Sequence, residues 1–105
     1  SSIASYVSSL EVLNSSNYNK WKERIGITFG CMDLDYALIH EAPSLPSGDS
    51  TEAQKAFYDK WERSNRMSLM IIKNSITNDI RGAIPNSDNA QNYMEVVAEQ
   101  FHGTS

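Results

Sequence analysis

The stretch from Thr51 to about Ile76 constrains the fold most, because it predicts one long amphipathic helix. Thr51 and Gln54 have the spacing of a capping box, in which a hydroxyl and an amide side chain satisfy two free backbone amides at a helix start. At 100° per residue, one face of this helix is formed by Phe57, Trp61, Ser64, Ser68 and Ile72. Most charged side chains of the stretch fall on the opposite face, so we expect the helix to bury the first face in a core.

A second helical pattern lies nearer the start of the chain. Tyr18, Trp21, Ile25 and Phe29 fall on one stripe of a helix, whereas Lys20, Glu23 and Arg24 point away from it. We expect Asn17 to cap this helix and Gly30 to end it in a left-handed conformation.

Three further segments complete a predicted set of helices. Asp88 to Gln91 has the polar residues of a helix start, and Gly103 is placed to end that helix. The apolar face of this last helix is formed by Ala90, Tyr93, Met94, Val97 and Phe101. Shorter helices are predicted over 33–40 and 77–81, and Glu41 to Ser50 is a predicted loop because it contains two prolines and a glycine. Strand patterns are nearly absent, so we predict an all-α, compact bundle of about five helices.

The domain organisation follows from where these patterns begin. Residues 1–12 are rich in serine and have no clear period, so we expect a flexible N-terminal arm followed by a single domain over 13–105. The residues expected in the core are Leu13, Tyr18, Trp21, Ile25, Phe29, Phe57, Trp61, Ile72, Tyr93, Val97 and Phe101.

Composition and charge exclude several classes of protein. The chain has 105 residues, 40% of them hydrophobic, which is ordinary globular usage. Its formal net charge of -4 disfavours a dedicated nucleic-acid binder, because such proteins need a local excess of Lys and Arg. Cys31 is the one cysteine, which rules out an intrachain disulfide and favours a reducing compartment. We expect Cys31 to be a buried small hydrophobe.

The sequence contains no convincing catalytic or metal-binding pattern. Asp33, Asp35 and His40 could together bind a cation or act as an acid and a base. The simpler interpretation is that Asp33 caps a helix and Asp35 lies in its first turn, where negative charge is favourable. Neither a Gly-x-Ser-x-Gly turn nor a phosphate-binding loop is present. We therefore expect a protein that is not an enzyme and needs no cofactor or metal.

A few apolar side chains depart from the helical pattern. Ile27 and Met70 project into otherwise charged faces, and Met67 lies at the edge of the polar arc of the long helix. Exposed apolar residues of this kind are candidates for contacts with a partner. We take Ile27, Met67 and Met70 as the candidate interface.

Several segments resemble one family. The run L-N-S-S-N-Y-N-K-W-K-E-R over 13–24 is similar to the opening of the Gag polyprotein of copia-type LTR retrotransposons, plant members especially. G-C-M-D-L-D-Y-A-L over 30–38, Q-K-A-F-Y-D-K-W-E-R-S-N-R-M-S-L-M-I-I-K over 54–73, I-R-G-A-I-P over 80–85 and the closing E-Q-F-H-G-T-S also resemble this family. One departure is serine at positions 15 and 16, where the family commonly has a glycine.

The resemblance implies a structural role. It identifies the chain with the N-terminal part of the Gag capsid region, a cytoplasmic helical lobe resembling that of retroviral capsids, within a longer polyprotein. Such a lobe self-associates weakly with other copies to build the shell of a virus-like particle. A domesticated Gag-derived module that binds host or Gag-derived peptides or proteins is the alternative. An RNA-binding domain is a third possibility, which the net charge disfavours. No membrane contact is expected.

Overall fold

Five α-helices form the part of the chain that the structure, a computed structural model, describes, namely residues 10–101. They are α1 (Tyr18–Cys31), α2 (Tyr36–Ile39), α3 (Glu52–Asn74), α4 (Asn78–Ala83) and α5 (Ala90–Gln100). Residues 10–101 contain no strand beyond one isolated parallel bridge between Leu13 and Ile76. The prediction of an all-α bundle is therefore confirmed.

The long helix α3 begins as its sequence predicts. The hydroxyl of Thr51 accepts a hydrogen bond from the backbone N–H of Gln54 at 3.0 Å, and the Gln54 side chain accepts one from the N–H of Thr51 at 2.8 Å. At the other end, the backbone N–H of Ser75 donates to the carbonyls of Ile71 and Ile72. This tightening of the last turn ends α3 at Asn74, slightly before the predicted Ile76.

The core lies between α1, α3 and α5. Of the residues predicted for the core, all except Phe57 are buried. The buried ones are Leu13, Tyr18, Trp21, Ile25, Phe29, Trp61, Ile72, Tyr93, Val97 and Phe101. Phe57 is half-buried, so its prediction as a core residue is wrong. It lies where α3 runs beside the short helix α2 and the loop after it, and its ring lines an open cleft there.

The segment before α1 is tied to the end of α3. Leu13 is fully buried; its N–H donates to the carbonyl of Ser75 at 2.7 Å, and its carbonyl accepts from the N–H of Thr77 at 3.3 Å. Residues 1–9 of the predicted arm, together with Gly103, lie outside the described residues. Within the arm, Leu10 packs against the core.

The end of α1 differs from the prediction. Gly30 is helical, and the residue with a left-handed backbone is Asp33, whose φ is 56°. The N–H of Leu34 donates to the carbonyl of Phe29 at 2.9 Å and that of Asp33 to Gly30 at 3.3 Å. These two bonds form a Schellman motif, and the apolar pair that accompanies it is buried Leu34 beside Phe29. Asp33 therefore ends α1 and does not cap α2.

The other helix boundaries shift by a few residues. α2 is a single turn that begins after Asp35, because the Schellman motif occupies the residues before it. α4 continues through Gly82 to Ala83. Asn17 precedes α1 as predicted but makes no side-chain cap, since its amide group instead accepts from the N–H of Asn14 and donates to the carbonyl of Val12.

Buried polar side chains of α3 fasten the neighbouring elements to it. Ser64 and Ser68 both donate to the carbonyl of Leu34, at 2.7 and 2.9 Å, and Ser64 accepts from the N–H of Ala37 at 2.9 Å. They satisfy backbone groups that the short helix α2 cannot satisfy by itself. These bonds fix α2 against the middle of α3.

Asn65 and Ser75 make the corresponding connections to α5 and α1. The Asn65 side chain donates to the carbonyl of Asp88 at 2.8 Å and accepts from the N–H of Ala90 at 2.6 Å, so it caps α5 from another helix. The Ser75 hydroxyl accepts from the indole N–H of Trp21 at 3.0 Å. Among the described residues, no buried side-chain nitrogen or oxygen lacks a partner.

Candidate functional site

The three candidate interface residues have different environments. Ile27 on α1 is 55% exposed and Met70 on α3 is 59% exposed. Met67 is half-buried against the core, and its place in the candidate interface stays a prediction. Met67 precedes Met70 by three residues and is therefore rotated by about 60° from it, toward the buried side of α3. The sequence pattern predicts Met67 at the edge of the polar arc.

Met70 lies in a basic part of α3. Arg63, Arg66 and Lys73 lie within about 60° of it around the helix. Arg66 contacts Glu62 at 3.4 Å, and the ammonium of Lys73 lies 5.2 Å from the centre of the Tyr93 ring. The helix carries no acidic residue from Arg63 to its end. We call the exposed side chains Arg63, Arg66 and Met70, with half-buried Lys73, the Met70 face.

Ile27 lies on the solvent side of α1, where exposed Lys20, Glu23 and Arg24 precede it within about 60° around the helix. Gly26, Gly30 and Cys31 are exposed beside it. A Cβ atom built on either glycine would have no neighbour within 4 Å. The expectation that Cys31 is buried is wrong: it is the last residue of α1, on the solvent side of the helix.

A surface cleft opens between the loop after α2 and the first turns of α3. It has a volume of about 380 Å³ and is lined by Pro43, Ser44, Leu45, Pro46, Ser50, Ala53, Gln54 and Phe57. Leu45 is 76% exposed, more than any other large apolar side chain of the described residues. We call this cleft the Leu45 cleft. Sequence reasoning missed it, although two prolines flanking a leucine in a loop were a signal that the backbone there is stiff.

The walls of the Leu45 cleft are held at both ends of the loop. The indole N–H of Trp61 donates to the carbonyl of His40 at 2.9 Å, and the capping box fixes Thr51. Between them, the N–H of Ser50 donates to the carbonyl of Ser47 at 3.1 Å. These bonds hold the loop that forms one wall of the cleft.

Aromatic rings surround Phe57 on the other side. Tyr36, His40 and Phe57 form a cluster in which the ring centres of Tyr36 and His40 are 4.3 Å apart and those of Tyr36 and Phe57 are 5.6 Å apart. The ammonium of Lys60 lies 4.4 Å from the centre of the Tyr36 ring. This packing places His40 among aromatic side chains.

Asp33, Asp35 and His40, the possible acid, base or metal ligands, are not grouped as three ligands of one metal ion. Asp33 ends α1 and Asp35 precedes α2. Within residues 10–101 no three His, Cys, Asp or Glu side chains are close enough to share a metal ion.

A second cleft, of about 360 Å³, lies between α1 and α5. It is lined by Tyr18, Lys22, Leu38, Gln91, Met94, Glu95 and Ala98. Burial raises the pKa of Tyr18, and it also raises the pKa of Tyr93 despite the opposing charge of Arg81. Both phenols are therefore neutral at physiological pH, and Tyr18 stacks on Phe101 with 5.0 Å between ring centres. Their shifted pKa values arise from core packing.

None of the helices in residues 10–101 is both long enough and apolar enough to cross a lipid bilayer.

Comparisons with known proteins identify no relative. No protein-family model, no curated protein and no solved structure matches the chain. The resemblance to copia-type Gag thus stays a prediction, and the fold and the two exposed apolar positions define a small all-α domain with candidate contact surfaces.

Proposed function

We propose that this protein is a structural domain that self-associates, as the N-terminal capsid part of a copia-type Gag polyprotein would do when it builds a virus-like particle shell. In this role it acts in the cytoplasm, catalyses no reaction and needs no cofactor. Its principal partners are other copies of itself.

The exposure of Ile27 and Met70 carries the proposal. Each has more than half of its surface exposed, and each lies on the solvent side of a helix whose opposite side is in the core. Burying such side chains removes apolar surface from water and stabilises a complex by about 25 cal/mol per Å². Two such positions on two helices give one copy more than one contact, as a shell requires.

The sequence resemblance adds independent support. It covers about residues 10–105, and its long central block coincides with most of α3, the helix that bears Met70. The polar residues that line the Leu45 cleft itself are Ser44, Ser50 and Gln54.

Sedimentation velocity over a wide concentration range tests the proposal. We expect the wild type to associate as concentration rises, and Met70→Asp or Ile27→Asp to reduce that association while helicity measured by circular dichroism is unchanged. Ala56→Asp and Asn19→Asp are the matched controls, because both introduce the same charge at exposed positions of the same two helices, and Ala56 lies about 21 Å along α3 from Met70. Association that persists in both Met70→Asp and Ile27→Asp would contradict this assignment of the surface.

A peptide-binding module, descended from Gag, is the second candidate. The preformed Leu45 cleft favours it, since a fixed apolar cleft can accept a side chain of a peptide. The wild type would then stay monomeric at every concentration and would bind peptides through the Leu45 cleft. RNA binding, the third class, would weaken steeply with salt.

A further inference from the structure

The Met70 face and the Leu45 cleft are complementary in chemistry. One presents an exposed flexible apolar side chain, and the other is a cleft whose walls include Pro43, Leu45 and Phe57. Methionine is unbranched and has a polarizable sulfur, so it fills irregular apolar gaps and packs well against an aromatic ring.

The charges around these two surfaces are opposite. Within two sequence positions of a residue that lines the cleft, the chain has four acidic side chains and one basic side chain, Lys55, which lies 3.7 Å from Glu52. Residues 63–81, which include the Met70 face, contain four basic and one acidic side chain, a formal net charge of +3. Glu41, Asp49 and Glu52 are exposed, and each lies within two sequence positions of a residue that lines the cleft. Such opposite charges favour association of the two surfaces and reduce association of like with like.

The two surfaces of one copy cannot meet. Phe57 and Met70 are both on α3, about 20 Å apart along its axis and about 140° apart around it. Met70 therefore cannot reach the cleft of its own chain, and the occupant must come from a second molecule.

We propose that the Leu45 cleft accepts Met70 of a second copy, with Arg63 and Arg66 of that copy facing the acidic residues around the cleft. This inference rests on the proposed self-association and specifies its geometry. Because the two surfaces are different and lie on different sides of α3, the contact is head-to-tail. A head-to-tail contact leaves one free surface at each end and so allows growth beyond a dimer.

Two variants separate the surfaces. Met70→Ser removes the apolar side chain and keeps the cleft, whereas Leu45→Ser weakens the cleft and keeps Met70; neither changes the net charge. We make both variants in the Ile27→Asp background, which removes the contact through α1, and expect each one alone to remain monomeric in sedimentation velocity at concentrations where that background still associates. An equimolar mixture is expected to form a dimer that does not grow, because one intact surface of each kind remains.

Charge reversal gives a second test. We expect the Arg63→Glu variant to associate severalfold more weakly than the wild type. One double variant combines Arg63→Glu with Leu45→Ser, and a second combines Asp49→Lys with Met70→Ser. Mixing the two double variants is expected to restore heterodimer formation. Wild-type association should also weaken as salt is raised, since exposed charges are screened. Ser47→Thr and Asn74→Gln change one side chain at each surface without changing its charge, so they serve as controls and are expected to associate like the wild type.

The outcomes distinguish this inference from the proposed function. If Leu45→Ser associates like the wild type while Met70→Asp does not, the domain self-associates but the cleft serves another occupant, such as a peptide, and the head-to-tail contact is overturned. A mixture that forms no heterodimer overturns it as well. A wild type that never associates overturns both proposals.

Discussion

Asn65 shows how a single buried side chain can connect two helices. It lies on α3, yet it bonds both the carbonyl of Asp88 and the N–H of Ala90 at the start of α5. Ala90 is fully buried, so water cannot replace the lost partner. The sequence placed polar Ser64 and Ser68 on the buried face of α3, but the partners of such residues could not be predicted, because they come from segments distant along the chain.

Removing the Asn65 amide should therefore be costly. We expect Asn65→Ala to lower the free energy of unfolding by about 2 kcal/mol, because a buried N–H and a carbonyl lose their partner. Urea unfolding followed by circular dichroism measures this change. Asn74→Ala, at an exposed position of the same helix, should change the free energy by less than about 0.5 kcal/mol. Equal small effects of both substitutions would contradict the role assigned to Asn65.

Asp33 has a backbone conformation that a Cβ atom disfavours. Its φ of 56° ends α1 in a left-handed turn, at the position where glycine is the usual residue. We expect Asp33→Gly to be more stable than Asp33→Ala by about 1 kcal/mol, since alanine has a Cβ atom that is strained at this positive φ and glycine has none. Thermal and urea unfolding of the two variants measure the difference. Equal stability would show that this turn is not under the steric restraint described here.

At the scale of elements, periodicity located the helices better than it located their ends. The predicted faces of α1, α3 and α5 are buried because packing and pattern agree. Gly30 was expected to end α1, but the Asp33 turn ends it, because an aspartate can take the left-handed conformation that composition alone assigns to glycine. Phe57 differs from prediction because burial depends on which neighbour covers a helix, and periodicity does not specify that neighbour.

The start of α3 is the element boundary that the sequence predicted most fully. Both bonds of the capping box between Thr51 and Gln54 are present. We expect Thr51→Ala to lower the free energy of unfolding by about 1 kcal/mol and Thr51→Ser to retain most of it, because serine supplies the same acceptor. Urea unfolding tests this, and an equal loss in both variants would contradict the capping role. The same substitution should also loosen the Leu45 cleft, since Thr51 ends its loop.

At the scale of the whole molecule, the uneven distribution of charge separates two ends of α3. The first half of this helix, with the loop before it, is acidic, and its second half is basic. The core could be predicted from sequence because it depends on apolar side chains at helical spacing. The Leu45 cleft could not, because it is formed by a loop whose course depends on the bond between Trp61 and the carbonyl of His40.

A domain of this kind should associate weakly. Each proposed contact would use a few of the exposed apolar side chains, among them Ile27, Leu45 and Met70, and contacts of this kind cover less surface than a permanent dimer. Many such contacts acting together can still hold an assembly. The free protein at low concentration is therefore expected to be monomeric.

The measurement that tests the central claim most directly is sedimentation velocity of the wild-type chain across a wide concentration range, at low and moderate salt. Self-association predicts a weight-average sedimentation coefficient that rises with concentration and rises less when salt is added. A coefficient that stays at the monomer value at every concentration in both buffers would contradict the claim that this domain associates with copies of itself.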